Sequence, residues 1–482
     1  MKVTLSQNRL RVLGSVYLVL VYGFGVLKTG AWSDDFPSLI DPYSHFLHAA
    51  QDGRPVYGWA IDYFFSIFTS VEGLKFIRLF GLIGLLLLSD AVLRFLFEKK
   101  LSNQVIAVSL VAFTLPSFQF SAHWAVAFGM SWTGFLAVQG LIYWEKPKYR
   151  IKIFGLLLFS SSLLIYPLMS FFVFSIAFLD LYFIAPRFSL FLHRLKSVSL
   201  ILFFGVLFSS GFSRGLLSLL DLNYNSRVQI ITISLIPEKI IWFITRPLAL
   251  SYRPFLIDSP SNLAFAVQIA VSVLFLVVLI FSQLRKFKDV ASFFILLNLN
   301  LILGLLPLLF VTQNQIDVRF LSANTWLVMF LYVNLIFSLL STIFKTTPEI
   351  GLTAITVISS IVFIFSAWSV NDRYLNFIAP IEESSREFIA REIKNCSPAS
   401  LKLGVEVVPR NTPWPSRNLL GMYSQVSDLA SEWVPIGAVT MLLHDRSPLL
   451  KQKLLVDWGK GSSYRCVVDL NRFTESGAGR NR

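Results

Sequence analysis

The sequence predicts an all-α polytopic membrane protein with about eleven transmembrane helices, interfacial helices in its first outer loop and a small α/β extracytoplasmic region at its carboxyl end. Hydrophobic residues make up 55% of the 482 residues and charged residues only 15%, against about 25% charged residues in an ordinary soluble domain. The apolar residues also gather into runs that can cross a bilayer core, which takes about 20 residues per helix. These two observations exclude a soluble globular protein.

The charge of the chain is strongly basic, with 42 Lys and Arg against 28 Asp and Glu and a formal net charge of +14. In a membrane protein such an excess marks cytoplasmic loops, because Lys and Arg accumulate on that side of the bilayer. The basic balance therefore indicates a lipid bilayer as partner and fixes an orientation. It does not indicate nucleic acid, whose binding proteins show a basic patch on a soluble domain.

The apolar runs give eleven predicted spans, with the amino terminus in the cytoplasm and the carboxyl terminus outside. The first run follows basic residues and has no small-residue cleavage pattern, so we expect a retained span. One long run is divided at Tyr166-Pro167, because proline disfavours helix for the residue before it. The predicted spans are Val12–Gly30, Leu79–Phe97, Val105–Phe118, Trp124–Trp144, two short helices within Ile151–Ile184, Val198–Phe212, Leu263–Phe281, Phe293–Val311, Trp326–Phe344 and Leu352–Trp368.

This topology predicts a membrane domain over residues 1–370, with outer loops at 31–77 and 213–262, and an extracytoplasmic region over residues 371–482. Strand-like runs at Leu401–Val408 and Tyr464–Leu470 predict mixed α/β structure in that last region. The two cysteines of the chain, Cys396 and Cys466, both lie there. They permit one disulfide if the region is outside the cytoplasm.

The first outer loop begins with two adjacent carboxylates, Asp34 and Asp35. Acidic side chains at the edge of a membrane are costly to desolvate, so their presence suggests use. The alternative is that they only solvate the loop. We take both residues as catalytic candidates, and the sequence does not rank them.

A short helix is predicted after this pair, with Asp41 as its amino-terminal cap, Pro42 at its first position and Gly53 at its end. Asp41, His45 and His48 would share one face of it, at i, i+4 and i+7 spacing. That face is either a site for substrate or metal or a polar stripe facing water. Zinc sites have tighter spacing, which favours the stripe over metal ligation.

Arg54 follows Gly53 and is a candidate for a phosphate, because its planar guanidinium presents a fork of donors. The next segment, Val56–Ser70, is rich in aromatic residues and predicts a helix lying at headgroup depth. Within it, Tyr57 and Trp59 are candidates for stacking on a sugar.

Further cationic candidates lie in the other outer segments. Lys239 and Arg246 flank an apolar helix of the second outer loop, where cations run against the positive-inside bias and suggest an anionic headgroup as ligand. Long loops also cross the membrane regardless of their charge, so both interpretations stay open. Arg319 stands with Asp317 in a short loop between two spans and can pair with an acid or bind a phosphate. Asp90 and Arg94, four residues apart near a cytoplasmic end, are predicted to pair structurally.

Trp32–Asp35 followed by Asp52–Pro55, on this topology, resembles the GT-C superfamily of polytopic glycosyltransferases and, more narrowly, the bacterial type II O-antigen glucosyltransferases. The resemblance in topology extends to about Trp368, and the resemblance in motifs covers residues 32–55. It implies a bacterial inner-membrane enzyme that transfers a hexose, with glucose as the first candidate, from a polyprenyl-phosphate donor. The acceptor would be a cell-envelope glycan such as the O-antigen of lipopolysaccharide. The carboxyl-terminal region has no resemblance.

For such a donor the leaving group is a lipid phosphate, so the chemistry needs a carboxylate base and cations rather than a general acid. Asp34 and Asp35 supply the carboxylates, and Arg54 with the outer cations supplies the charge. A single displacement inverts the anomeric carbon. The resemblance implies Mg²⁺ or Mn²⁺ dependence in some relatives and none in others, and the sequence spells out no oxygen cage.

Three alternatives stay open at this stage. The first is another enzyme of the same architecture, such as a polymerase, a ligase, or an arabinosyl or mannosyl transferase. The second is a transporter or flippase for lipid-linked sugar, which would usually show internal repeats that this sequence lacks. The third is a membrane scaffold without catalysis.

Overall fold

The computed structural model describes residues 7–28, 31, 35–99, 101, 103–184, 188–252, 273, 287–312, 318–343, 360–368, 370, 379–396, 405–408, 456–458 and 466–469. This part of the chain is mostly helical, as predicted. Four of its helices are long and apolar enough to cross a membrane: Gln7–Leu27, Leu74–Glu98, Ala125–Trp144 and Leu190–Leu219. The chain is therefore a multi-pass membrane protein.

The helices of the first half are α1 (Gln7–Leu27), α2 (Asp35–Ile40), α3 (Pro42–Gln51), α4 (Pro55–Ile67), α5 (Leu74–Glu98), α6 (Asn103–Ala112), α7 (Pro116–His123), α8 (Gly129–Trp144), α9 (Tyr149–Ile165), α10 (Pro167–Ser170), α11 (Phe172–Ala177), α12 (Leu179–Ile184) and α13 (Phe188–Leu219). The second half has α14 (Ile236–Phe243), α15 (Ala249–Ser251), α16 (Phe287–Gly304), α17 (Leu306–Phe310), α18 (Ser322–Ile343) and α19 (Ala379–Asn395). Short 3-10 turns lie at Ala125–Phe128 and Val318–Leu321, and a π-helix at Ile244–Leu248.

Helices α1 and α5 pack against each other in opposite directions, with an ion-pair cluster at one end of the pair and a hydrogen bond from an arginine at the other. At one end, Arg11 of α1 donates to the Asp90 carboxylate of α5, which also pairs with Arg94 at 2.6 Å. At the other end, buried Arg78 of α5 donates to the carbonyl oxygen of Lys28, just past the end of α1, at 2.8 Å. The Asp90–Arg94 pair is confirmed, with Arg11 as a further partner.

Helices α5, α8 and α9 form the centre of the bundle. Gly140 of α8 and Gly155 of α9 let two backbones meet: a Cβ on either would lie within 2.8 Å of the other's carbonyl oxygen. Small residues allow this close approach in membrane helices, where packing replaces the hydrophobic effect as the force between helices. Lys99 at the end of α5 pairs with Glu145 at the end of α8, which fixes these two ends together at 2.9 Å.

The break predicted at Tyr166-Pro167 is confirmed. Tyr166 has an extended backbone, with φ −150° and ψ 90°, between α9 and α10. Two other predictions are wrong in detail. The run Val105–Phe118 is not one helix, because Leu115 is extended before Pro116 and α7 begins anew there. The helix predicted as Val198–Phe212 continues as α13 to Leu219, since no proline interrupts it before Asp221, whose φ is +54°.

In the carboxyl-terminal region, β1 (Val405–Val408) lies between β2 (Val456–Trp458) and β3 (Cys466–Asp469), and both pairings are parallel. Strands β1 and β3 fall within the two predicted strand-like runs. Helix α19 packs against β3, and a disulfide joins Cys396, just after α19, to Cys466. The predicted span Leu263–Phe281 lies outside the described residues apart from position 273, and of Leu352–Trp368 only 360–368 is described, as helix.

Candidate functional site

The first outer loop folds into a compact three-helix scaffold from local sequence signals. Asp41 caps α3 as predicted, since its Oδ1 accepts a hydrogen bond from the Ser44 N–H at 2.9 Å. Gly53 ends the turn after α3 with φ +75°, a conformation that favours glycine. Gly58 of α4 lies so close to α3 that a Cβ there would meet the Phe46 carbonyl oxygen at 2.8 Å. The scaffold fixes whatever side chains it carries.

Asp35 is the first residue of α2 and is 1% exposed. Its Oδ1 accepts a hydrogen bond from the backbone N–H of Val126 at 2.9 Å. Val126 belongs to the 3-10 turn Ala125–Phe128, which directly precedes α8. This carboxylate is therefore buried against the end of the helix bundle. Asp34 lies outside the described residues.

Tyr57 of α4 binds the backbone of the same residue at its carbonyl group. Its buried hydroxyl donates a hydrogen bond to the Val126 carbonyl oxygen. Gly129 makes room for its ring, because a Cβ there would lie 2.9 Å from Tyr57 Cδ2. One residue of the 3-10 turn thus holds both an acidic and an aromatic side chain of the first outer loop.

Arg54 lies between two aromatic rings. Its guanidinium carbon is 5.5 Å from the centroid of Tyr57 and 5.6 Å from that of Tyr166. One Nη2 donor also binds the carboxylate of Asp52, and the side chain is 22% exposed. The contacts with Asp52 and the two rings restrict the guanidinium, as a site for a phosphate requires, while part of it stays accessible.

Asp52 joins the first outer loop to the second. Its carboxylate, 2% exposed, receives Arg54 on Oδ2 and the Asn225 side-chain amide on Oδ1 at 3.0 Å. The Asn225 N–H also donates to the Gln51 carbonyl oxygen at 3.0 Å. The ring of Tyr224 lies beside Gly53, and burial raises the pKa of its hydroxyl, although Arg214 acts in the opposite direction.

Arg319 reaches the same end of the bundle from the 3-10 turn Val318–Leu321. Its guanidinium carbon lies 4.8 Å from the ring centroid of Trp124, two residues before Val126. The neighbouring Phe320 ring is 6.5 Å from the ring of Tyr166, centroid to centroid. The second arginine candidate is therefore part of the same aromatic-lined region as Arg54.

The remaining first-loop candidates have different surroundings. His45 Nδ1 is 2.9 Å from the Ser38 hydroxyl and so links α3 to α2, while His48 is half-exposed, with Nε2 3.9 Å from Asp52 Oδ2. Trp59 is 63% exposed and stacks on Tyr63. No three His, Cys, Asp or Glu side chains converge on one point within the described ranges. On this face Asp41 caps α3 and His45 links α3 to α2, while about half of the His48 side chain stays accessible.

The candidates of the second outer loop lie on a different element. Lys239 is 2% exposed on α14, with Nζ 4.2 Å from the Trp242 ring centroid, and desolvation lowers its pKa to about 8. Arg246 lies exposed in the π-helix that follows. Both belong to the segment that packs against α17.

Sequence reasoning missed several members of this site. Trp124 and Val126 fell within a predicted span, and Asn225 is 173 residues away from its partner Asp52. The sequence pointed to one further member of the site, Tyr166, because a helix break was predicted at Tyr166-Pro167. It did not indicate that the Tyr166 ring lies against Arg54. We call the set Asp35, Asp52, Arg54, Tyr57, Trp124, Val126, Tyr166 and Arg319 the outer-loop site.

Chemically, the outer-loop site combines a buried carboxylate with two arginines held against aromatic rings. This combination suits an anionic substrate that also presents a hydroxyl to be deprotonated. No protein-family model, curated protein or solved structure matches the chain.

Proposed function

We propose that the protein is a membrane glycosyltransferase that moves a hexose, with glucose as the first candidate, from a polyprenyl-phosphate donor to a cell-envelope glycan such as O-antigen. The observation that carries the proposal is the convergence of buried Asp35 and ring-stacked Arg54 on one structural unit, through Val126 and Tyr57. A base and a phosphate-binding cation are the two parts that this reaction needs.

In the proposed reaction, a hydroxyl oxygen of the acceptor glycan attacks the anomeric carbon of the donor. The bond from that carbon to the phosphate oxygen breaks, and its electron pair leaves with the lipid phosphate. The hydroxyl proton passes to a carboxylate, for which Asp35 and its neighbour Asp34 are the candidates. Because the attack comes from the face opposite the leaving group, the anomeric configuration inverts.

Arg54 and Arg319 would stabilise the negative charge that develops on the departing phosphate. The rings of Tyr57 and Tyr166 and the carboxylate of Asp52 restrict the Arg54 side chain, so Arg54 loses less conformational freedom when it binds the phosphate. Tyr57 itself is held by its hydroxyl, which favours a positioning role for it over sugar stacking. Exposed Trp59 is the better candidate for contact with the sugar or the prenyl chain.

No step is assigned to Mg²⁺ or Mn²⁺, because the described side chains offer no cluster of three metal-ligating groups. An assay with chelator, followed by addition of each ion, tests the dependence separately from the assignment of Asp35. Activity that survives chelation leaves the carboxylate-and-arginine chemistry complete as written.

For topology, we propose eleven spans, a cytoplasmic amino terminus and an extracytoplasmic α/β domain over residues 371–482, in a bacterial inner membrane. The disulfide between Cys396 and Cys466 supports the outer placement, because disulfides persist in oxidising compartments. Strands β1–β3 and helix α19 support the mixed α/β character of that domain. The antiparallel pairing of α1 and α5 supports an outer loop between them.

The test is transfer of radiolabelled hexose from a series of polyprenyl-phosphate sugars to cell-envelope glycan, with wild type and an Asp34→Asn/Asp35→Asn variant in the same vesicles. We expect transfer by the wild type and none by a variant of equal abundance and thermal stability. Equal transfer by both proteins would remove these acids from the mechanism. Movement of the donor across the vesicle membrane without transfer would instead identify a transporter, and elongation of a glycan from a larger donor would identify a polymerase.

A further inference from the structure

Helix α14 has one buried face and one exposed face, and the exposed face is aliphatic. Lys239 and Phe243 are 2% and 3% exposed, so they mark the side that packs on the protein. The other side carries three exposed isoleucines, Ile236, Ile240 and Ile241, and Ile244 at the start of the π-helix extends it; the four are 40–63% exposed. Glu238, also exposed, lies at the edge of this aliphatic face.

The position of α14 along the bundle follows from its partners. It packs against α17, which continues α16, and Phe243 joins Leu308 of α17 in one buried cluster. The segment before α14 is tied to the end of α17, since the Ile231 N–H donates to the Phe310 carbonyl oxygen at 2.9 Å. The same segment contacts the first outer loop through Asn225. Helix α14 therefore lies at the end of the bundle that carries the outer-loop site.

The exposed aliphatic face is not isolated. A further 3-10 turn, Ile233–Leu235, packs on α14, and its Ile233 is 86% exposed. Ile230 is 78% exposed and Phe310 of α17 is 56% exposed. A contiguous apolar surface of this kind is unfavourable in water and marks an interaction site. Helix α17 is the last part of the predicted span Phe293–Val311, so this apolar surface lies beside the outer end of that span.

We propose that α14 is a membrane-interface helix whose isoleucine face lies in the leaflet on the side of the outer-loop site. The helix and the π-helix after it cover residues 236–248, about 20 Å at 1.5 Å per residue, which is too short for a hydrocarbon core of about 30 Å. An amphipathic segment of that length lies along the interface, with its apolar side in the acyl boundary. Trp242 and exposed Arg246 are suited to the headgroup layer on its border.

This inference concerns the lipid bilayer as occupant and does not depend on the proposed transferase activity. It gives the second outer loop a fixed depth beside the outer-loop site. Lys239, on the buried face of α14 with its Nζ over the Trp242 ring, then contributes to packing at the headgroup layer. A second copy of the chain covering the same face is the competing outcome.

The test uses single cysteine variants, because the two native cysteines are joined to each other and leave an introduced thiol unique. Ile241→Cys and the matched control Glu238→Cys each receive an environment-sensitive fluorophore in lipid nanodiscs that hold one copy of the protein. Emission is then measured with shallow spin-labelled lipids and, separately, with iodide. No sugar donor is present.

We expect the fluorophore at position 241 to emit at shorter wavelength, to lose most of its emission to spin-labelled lipid and to resist iodide. The fluorophore at position 238 should be quenched more strongly by iodide and less by lipid. Iodide quenching at position 241 equal to that at 238, without quenching by lipid, would overturn the proposal. Protection from both quenchers at position 241 would overturn it as well, because a protein surface would then cover the face.

Discussion

Two Asp–Arg clusters at opposite ends of the α1–α5 bundle look alike as ion pairs and differ in everything around them. Asp90 pairs with Arg94 one turn away on the same helix and with Arg11 of α1. Asp52 pairs with Arg54 across a glycine turn and with Asn225 of another outer segment. Arg94 is 52% exposed, whereas Arg54 is 22% exposed between two tyrosine rings.

The two clusters show which features separate a structural ion pair from a candidate binding site. In the Asp90 cluster, two arginines converge on one acid and thereby join two helices. In the Asp52 cluster, one acid and two rings converge on one arginine, which restricts its guanidinium and leaves part of it open. The second arrangement therefore holds a partly accessible guanidinium in place, as a binding site for an anion does.

The largest expected effect is on the rate of hexose transfer and comes from replacing Asp35, a candidate base. Asp35→Asn should lower hexose transfer by roughly 10²–10⁴-fold, the usual contribution of a general base. Asp90→Asn, the matched control, should leave transfer near the wild-type rate and lower only the thermal stability. Transfer rates and melting curves of both variants in nanodiscs check this. A collapse of transfer in Asp90→Asn at normal stability would contradict the assignment of its cluster as structural.

The next effect sharpens the role of Asp52 as a positioning residue. Asp52→Asn removes the charged acceptor that holds Arg54, at about 1.5–3 kcal/mol for a hydrogen bond to a charged group. We expect a KM for the polyprenyl-phosphate donor raised roughly tenfold or more, with little change in kcat. Steady-state kinetics at varied donor concentration measure the split. A fall in kcat at unchanged KM would place Asp52 in the chemical step instead.

A smaller effect is expected from the turn between these two residues. Gly53→Ala puts a Cβ on a residue with φ +75°, which costs roughly 1–2 kcal/mol for an L-residue. The thermal stability should fall and donor affinity should weaken with it, because the turn sets Arg54 relative to Asp52. Gly23→Ala is the control, since a Cβ there meets nothing within 4 Å. Equal effects of both substitutions would show that the turn is not critical.

The last prediction concerns stability alone, with no change expected in transfer, and tests the second outer loop through pH. Desolvation lowers the pKa of Lys239 to about 8, below the ordinary value of 10.5. Below pH 8 the folded protein carries the buried charge at a cost, and between about 8 and 10.5 the unfolded chain binds more protons, so this cost is relieved as the pH rises. Lys239→Met should therefore be more stable than wild type at pH 7, with the difference narrowing by pH 10. Melting temperatures of both proteins from pH 7 to pH 10 test this. A difference in melting temperature that stays constant across that range would contradict a buried charge at Lys239.

The features that sequence predicted well depend on neighbours along the chain. Asp41 caps α3, Gly53 ends its turn and Tyr166 breaks the helix before Pro167, because capping, positive φ and proline sterics act within a few residues. Asp90 and Arg94 pair because helical spacing brings them together.

The features that sequence did not predict depend on tertiary packing. Val126 receives Asp35 over 91 residues, and Asn225 reaches Asp52 over 173. Apolar runs also do not reveal where a helix stops inside the membrane, which is why the break before Pro116 and the extension of α13 were missed. In the bilayer, hydropathy marks depth and leaves helix ends to local sterics and packing.

The most direct test of the central contrast is binding of polyprenyl phosphate, without sugar, to wild type, Arg54→Lys and Arg94→Lys in identical nanodiscs. Lysine keeps the charge but loses the planar fork and the stacking that the tyrosine rings provide. Arg54→Lys should weaken binding by roughly tenfold to 100-fold, the range of one charge-assisted hydrogen bond, while Arg94→Lys should bind as the wild type does. Equal affinities for all three proteins would contradict the account, since Arg54 would then be an ion pair of the same kind as Arg94.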